Sequence, residues 1–443
     1  MAAKKKDAGT TAADESVFDS IIEQEFTDMQ DLSKVDDSVD YWVDTGNWAL
    51  NYAISKKFRG GYPGGRISNL YGLSGTGKSM LPAIATRSKK WSDINFYNFD
   101  RIIVVDSEGG GTGKSLFSFV DAPLDRVRYT TITTLDSYRT DNKTGEQKVV
   151  ADKDVPDKLV TPTYTYTRGL ICFLKKIIYA MKYRKSTEKI CIIVDSISNI
   201  KSFRTAVENG EDMGKTNKLY NNLFALDNDF HEIGATVLLA SKVYTNLGNE
   251  YDPWKMAGGQ AMMYNPSVNI QLTTMSATDE MSEAEQKAER ERRKTALGNS
   301  IKVIRATITK SRFGTENRNV WMLLDATYGL IRNSGLFSML KDFGLIKKSG
   351  AMYTLDGVFD KAFYKKDFAK IFAEHEDEYI DKLQPLMEKA EEEIKQKRLA
   401  INVSDLSEYD DEIEEEAETT VQEMLNAMEA DDEVSADIAS SND

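Results

Sequence analysis

The chain has 443 residues, of which 41% are hydrophobic, 10% aromatic and 29% charged. That balance supports a substantial core, excludes a wholly disordered chain, and at this length implies two or three domains or one large α/β domain with additions. Two cysteines, Cys172 and Cys191, each inside an apolar run, exclude a disulfide framework, and two histidines, His231 and His375, exclude a Cys/His zinc cluster. The net charge of −14 is local: residues 401–443 hold sixteen Asp or Glu and no Lys or Arg, so residues 1–400 carry +2. An acidic polymer could therefore approach the body, with the tail either competing as a tethered polyanion or only keeping the chain in solution. No apolar stretch reaches the ~18 residues of a membrane span. The start, MAAKKKDAGTTAADES, lacks an apolar signal core, so a cytoplasmic protein is expected.

In chain order, residues 17–30 place Phe18, Ile21, Ile22 and Phe26 on one helical face, a short amphipathic helix for packing on its own domain or a neighbouring subunit. From Arg66 onward, apolar runs alternate with amphipathic segments: RISNLY, RIIVVD, VRYTTI, KICIIVD, ATVLLAS, SVNIQLT, IKVIRATIT and NVWMLL. These read as buried strands of a largely parallel sheet. Leu170, Ile171, Leu174, Ile177, Ile178 and Met181 form one helical stripe, and Leu219, Leu223, Leu226 and Phe230 another. Residues 137–166, with a turn signal at Asn142–Gly145, read as a surface excursion or hairpin. Residues 277–298, opened by the capping box Ser282-x-x-Glu285, read as a solvated charged helix. The segment after Gly335 predicts a short helix stopped by Gly344 and a small hairpin. Residues 366–398 continue as a charged helix or helix pair, and the acidic tail from 401 is expected to be disordered.

The chemistry-bearing signal is Gly72-Leu73-Ser74-Gly75-Thr76-Gly77-Lys78-Ser79, a G-x-x-x-x-G-K-[ST] phosphate loop between a strand candidate and a helix candidate beginning near Met80. Its glycines allow backbone N–H groups to face phosphate oxygens, and the helix start adds partial positive charge. In such loops the lysine, here Lys78, reaches the β- and γ-phosphates and the hydroxyl of Ser79 ligates Mg²⁺; Gly72 to Met80 are the nucleotide-binding candidates. Pro82 is tolerable in the first turn of that helix, though unusual there. The pentapeptide GTGKS recurs at Gly111–Ser115, but Glu108 stands where the motif needs its first glycine, so Gly109–Ser115 reads as a flexible loop. The run ending Asp106-Ser107-Glu108 offers Glu108 as the group that orients or deprotonates a water. The run Ile192-Ile193-Val194-Asp195 is a hydrophobic strand ending in an acid suited to the Mg²⁺ shell.

Taken together these residues resemble the RecA family of recombinases, most of all its phage members of the UvsX type. Asp44–Asn51 and Gly64-Gly65-Arg66-Ile67 are similar to the family's approach to its phosphate loop, and Asp106-Ser107-Glu108 to its D-[AS]-E. Gly258-Gly259-Gln260-Ala261 with Tyr264 and Ser267-Val268 resembles the end of its second DNA-binding loop. Lys310-Ser311-Arg312 resembles the pair that reaches the ATP of the adjacent subunit, and Tyr328–Ile331 through Gly350–Tyr353 the approach to its C-terminal domain. The resemblance implies an α/β fold: a RecA-like ATPase core over 41–333, interrupted at about 137–166 and 277–298, with an N-terminal segment 1–40, a small α+β subdomain 334–400 and the tail 401–443. It implies a DNA-dependent ATPase that forms a helical homofilament on single-stranded DNA, pairs it with double-stranded DNA and exchanges strands, using ATP and Mg²⁺. Single-strand-binding and loader proteins are candidate partners, and the compartment is the host cytoplasm if the gene is a phage's.

On that resemblance Lys310 and Arg312 act on the γ-phosphate of a neighbour, and DNA meets loops at about 207–217 and 244–260. The DNA-binding candidates are Met213, Gly214, Lys215, Trp254, Lys255, Met256, Gly258 and Gly259. Trp254 has a locally buried aromatic as its alternative. The chain departs from the family in reading Leu239-Ala240-Ser241-Lys242 where a polar sensor, usually Gln, Asn or His, stands; Lys242 is expected to meet the γ-phosphate or point to DNA. Alternatives are a hexameric helicase with the same phosphate loop and an ATP-gated DNA-binding assembly factor with little hydrolysis.

Overall fold

The computed structural model describes residues 39–87, 98–109, 113–207, 213–245, 254–275, 301–314, 316–326 and 329–399. The expected helix at 17–30, the charged segment 277–298, the tail 401–443 and part of the second GTGKS lie outside them. The chain divides into two compact units, Met1–Tyr41 and Trp42–Asp443. Of the first, residues 39–41 are described, and they belong to no helix or strand.

In the second unit the strands run β1 Trp42–Val43, β2 Tyr62–Pro63, β3 Ile67–Gly72, β4 Arg101–Asp106, β5 Val127–Thr131, β6 Tyr138–Asp141, β7 Gln147–Val149, β8 Tyr164–Thr167 and β9 Ile190–Asp195. They continue as β10 Ala235–Thr245, β11 Trp254–Met256, β12 Val268–Met275, β13 Ile301–Ser311, β14 Arg318–Asp325, β15 Gly329–Leu330, β16 Ile346–Ser349 and β17 Met352–Leu355. The central sheet has the order β15-β14-β13-β12-β3-β10-β9-β4-β5, with β11 paired to the end of β10. From β12 to β5 every neighbouring pair is parallel, while β13, β14 and β15 add an antiparallel wing. The protein is thus a mixed α/β molecule with a large, mostly parallel central sheet flanked by helices.

Composition explains the placement of the strands. β9, ICIIVD, is buried at all six positions, as a strand covered on both faces must be. β13 instead alternates, because one face of the wing is only partly covered. The run VRYTTI, expected to be buried, forms the edge strand β5, where Arg128 and Tyr129 are exposed; it has a neighbour on one side only. Helix Leu170–Arg184 lays Leu170, Leu174 and Ile178 against Ile192, Val194 and Leu239 of the sheet in one core cluster, which Leu223 and Phe230 join from helices Met213–Phe224 and Asp227–Glu232.

Residues 137–167 form a three-stranded antiparallel sheet, β7-β6-β8, rather than a lone hairpin. Its turn lies at the signal read from sequence: the Asp141 carboxylate accepts from the amides of Lys143 and Thr144 at 2.8 and 2.9 Å. Tyr138 fastens it to the body, its ring 4.7 Å from that of Phe203.

Helix Trp48–Ser55 is buried at every position. The Asn47 side chain caps it by accepting from the Leu50 amide, and donates through Nδ2 to the Ile331 and Ser334 carbonyls. Asp44 holds the same corner, accepting from the Gly46 amide at 2.6 Å and from Arg332 at 2.7 Å, while Arg332 lies 3.8 Å above the Trp48 ring. The segment Asp44–Asn51 is therefore scaffolding. Beyond the sheet come helix Leu336–Asp342, the β16–β17 hairpin and helices Phe368–Glu374 and Glu376–Leu399, as the sequence predicts. The last helix folds back onto residues 48–59: Trp48 Nε1 donates to Glu376 at 2.5 Å, Arg59 pairs with Asp377 and Asp381 at 2.9 Å each, and Lys56 with Glu391 at 3.0 Å. Among the described residues no helix is long and apolar enough to cross a membrane.

Glu391 makes this docking pH-sensitive. Burial pushes its carboxyl up, but hydrogen bonds from Lys56 and Arg318 outweigh that and hold it below the ordinary 4.5. A depressed carboxylate stabilises the fold above its unfolded value, and that contribution is lost as pH falls through the lowered folded one. Thermal melts between about pH 3 and pH 6 are expected to lose stability on acidification, with Glu391→Gln flattening part of the slope. A parallel slope in that variant would assign the acid response elsewhere.

Candidate functional site

The site lies at the carboxyl ends of the parallel strands, where open α/β sheets bind ligands. β3 delivers the loop that starts at Gly72, β4 delivers Glu108, β9 delivers Asp195 and β10 delivers Lys242, and all four border one cavity of about 400 Å³. This is within the range for a small-molecule site. Gly72, Leu73, Ser74, Gly75, Gly77, Lys78, Ser79 and Met80 line it, and Thr76 is tucked beneath, its hydroxyl donating to the Leu73 carbonyl at 2.9 Å. Two glycines are required by geometry. A Cβ on Gly72 would stand 2.1 Å from the Leu272 carbonyl oxygen, and Gly77 has φ 95°, a conformation that L side chains rarely adopt. The helix after the loop is short, Met80–Ile84.

The Lys78 ammonium folds onto its own loop and donates to the Leu73 carbonyl at 2.5 Å. Burial lowers its pKa, against the pull of Asp195 and Glu108. Burial likewise pushes the Asp195 carboxyl above its ordinary range, opposed in part by its hydrogen bond with the Ser79 hydroxyl. Hydroxyl and carboxylate are thus already together, the donor set a hard divalent cation takes. The Ser196 hydroxyl oxygen, on a residue at the cavity wall, is buried with no hydrogen-bond partner. Its orphaned state, the lysine lodged on a carbonyl and the glycine cradle all fit a polyanion with a bound cation.

Glu108 is placed by Asp106, whose buried carboxylate accepts from the Glu108 and Gly109 amides at 2.7 and 3.1 Å and from the Tyr129 hydroxyl at 2.6 Å. The Glu108 side chain meets Lys242 at 2.6 Å and accepts from Asn199 at 2.8 Å. The hydrogen bond from Lys242 is the main reason its pKa is lowered, burial opposing it. Lys242, expected at a phosphate or on DNA, therefore rests on the carboxylate.

Lys310 and Arg312 are not in this cavity. Lys310 is in register with Asn269, and Asn269 with Asn69, three residues before Gly72. At ~3.3 Å per residue that is about 10 Å toward the far end of the sheet. There Lys310 donates to the Tyr264 carbonyl, and Arg312 lies 3.8 Å from Asp227. In one chain the two basic residues cannot reach the phosphate loop.

Of the DNA-binding candidates, Met213, Gly214 and Lys215 begin helix Met213–Phe224, while Trp254, Lys255 and Met256 form β11. Met256 is 5% exposed, inside the core cluster and 3.2 Å from the Asn69 side chain, so burial removes it from any DNA-facing surface. Lys255 is exposed. Gly258 caps helix Gly259–Tyr264, and a Cβ on Gly259 would stand 3.4 Å from Asn217, so the two candidate loops end side by side. Residues 208–212 and 246–253 lie outside the described set. In the second GTGKS, Lys114 and Ser115 begin a helix rather than continue a loop, and Lys114 borders a different cavity, with Phe117 and Tyr129.

Four neighbours of the site escape sequence reading. Asn199 and Ser196 follow Asp195 closely, and a polar residue just past a strand-ending acid is the available clue. Lys302, its ammonium 3.4 Å from the Gly75 carbonyl oxygen, and Leu324 come from the antiparallel wing and carry no local signal.

The fold and site together define a mixed α/β protein with a glycine-rich loop and two carboxylates around one cavity at the carboxyl edge of its sheet. No family model matches the chain, and no curated protein matches it.

Proposed function

We propose that the protein is a DNA-dependent ATPase of the RecA recombinase kind, assembling on single-stranded DNA as a helical homofilament in the cytoplasm and exchanging strands with homologous duplex. The observation that carries this reading is the convergence of Lys78, Ser79, Glu108 and Asp195 on one cavity at the ends of adjacent strands. Lys78 and the loop amides would hold the phosphates of ATP, and Ser79 and Asp195 would hold Mg²⁺, which supplies charge neutralisation between phosphates. Glu108 would orient the attacking water and take its proton. The site so built is complete except for a group that stabilises the leaving charge from the open side. Lys310 and Arg312, remote from their own cavity, suit that role on a neighbouring subunit, and head-to-tail repetition of that contact generates a helix. Exposed Lys255 beside the paired loop ends suits the backbone of a single strand.

The test is imaging of the purified protein with single-stranded DNA, Mg²⁺ and a slowly hydrolysed ATP analogue. Helical filaments on the DNA support the proposal, and closed rings would replace it with a hexameric helicase. Shared sites give a second test. Arg312→Ala and Lys78→Ala should each be nearly inactive, yet an equimolar mixture should recover roughly a quarter of wild-type turnover, the share of contacts pairing two intact halves. No recovery at any mixing ratio would remove the action between subunits.

A further inference from the structure

The residue that departs most from expectation is Lys242, and its surroundings give it a specific task. Its backbone is pinned on three sides. It is in register with Gly72, the first residue of the phosphate loop; its amide donates to the Ser198 hydroxyl at 2.7 Å; and its carbonyl accepts from the Ala257 amide at 3.0 Å. The side chain, by contrast, is 51% exposed and spans the mouth of the cavity to Glu108 Oε1, the same oxygen that Asn199 holds. Lys78 lines the same cavity, held by a carbonyl of its own loop. Two ammonium groups thus flank one small space, one engaged by a neutral partner and the other by the carboxylate that the proposed reaction uses.

An ammonium has three donors but one charge, and a multiply charged phosphate competes strongly for it. We propose that Lys242 is a positioning residue shared in competition between Glu108 and the third phosphate of a bound nucleoside triphosphate. With no third phosphate in the cavity Lys242 holds Glu108 as an ion pair, and a third phosphate draws the ammonium off and frees the carboxylate. The inference rests on the nucleotide reading of the site. Its consequence is that the base becomes available only when the phosphate to be attacked is present, and that a nucleoside diphosphate leaves the pair closed.

Competition for one group has a thermodynamic signature that needs no turnover. Equilibrium binding of ADP and of a slowly hydrolysed ATP analogue, each with Mg²⁺, gives a preference ratio for the third phosphate. Glu108→Gln releases Lys242 from its charged partner and should raise that ratio several-fold, the scale on which residues of one ion-pair network couple. Lys242→Met should lower it, and Lys242→Arg should restore it in part. The deciding variant is the double substitution: in Lys242→Met with Glu108→Gln, the gain from Glu108→Gln should vanish. If that gain persists, Glu108 acts on the phosphate by direct repulsion and the competition is overturned. Nucleotide binding that is absent from the wild type, or indifferent to Lys78→Ala, would instead overturn the nucleotide reading, and the inference with it.

Discussion

Replacing Lys78 by alanine is expected to reduce nucleotide hydrolysis by at least ~10²-fold, the usual scale for deleting one preorganised charge at a phosphoryl site. On the proposed reading no other side chain substitutes for it. Lys242 is shared between Glu108 and the third phosphate, which leaves the loop and the β-phosphate to Lys78, and Lys302 approaches the loop only from outside, at the Gly75 carbonyl. Among the described residues Lys78 donates to the Leu73 carbonyl of its own loop and makes no ion pair that the fold depends on. The variant should therefore melt with the wild type, and phosphate release with single-stranded DNA present is the measurement. Turnover within about twofold of wild type would place the chemistry elsewhere.

Glu108→Gln is expected to separate binding from hydrolysis. The amide keeps the size of the carboxylate and can still accept from Asn199 through its oxygen, but it cannot take a proton from water. Hydrolysis should fall about 10²- to 10⁴-fold, while nucleotide and DNA stay bound. Filter binding of labelled DNA, chased with excess competitor after ATP is added, should show complexes outlasting those of the wild type. Wild-type hydrolysis by this variant would mean that the water is activated by another group.

How much of this was legible in the sequence follows from how local each feature is. The phosphate loop is nine consecutive residues between two elements, so its whole argument lies in one window, and the structure places those residues around one cavity. Asp195 and Glu108 end apolar runs, and strand ends are visible as the points where such runs stop. Leu324 reaches the same cavity, and Lys302 the Gly75 carbonyl beside it, because β13 and β14 extend the sheet beyond β12, and nothing in IKVIRATIT distinguishes an antiparallel wing from a parallel centre. The exposure of VRYTTI has the same origin: strand identity is a local property, and strand order is not. The resemblance puts Met256 in a DNA-facing loop, whereas pairing of β11 with β10 turns it inward. Lys242 could be flagged as an unusual residue, but its partner lies 134 positions earlier in the chain.

The return of helix Glu376–Leu399 to the start of the fold also constrains how the protein is made. Trp48 and Glu376, which meet in the finished structure, are 328 residues apart. At about 5–20 residues per second, a ribosome takes roughly 15–65 s to join those two points. During that interval the nascent helix Trp48–Ser55, with Trp48, Leu50, Tyr52 and Ile54 all fully buried at the end, must wait for β13, β14 and finally the last helix to cover it. Translation halted before residue 376 would leave a polypeptide in which this wholly buried helix is incompletely covered, a substrate for chaperones and proteases rather than a shorter working protein.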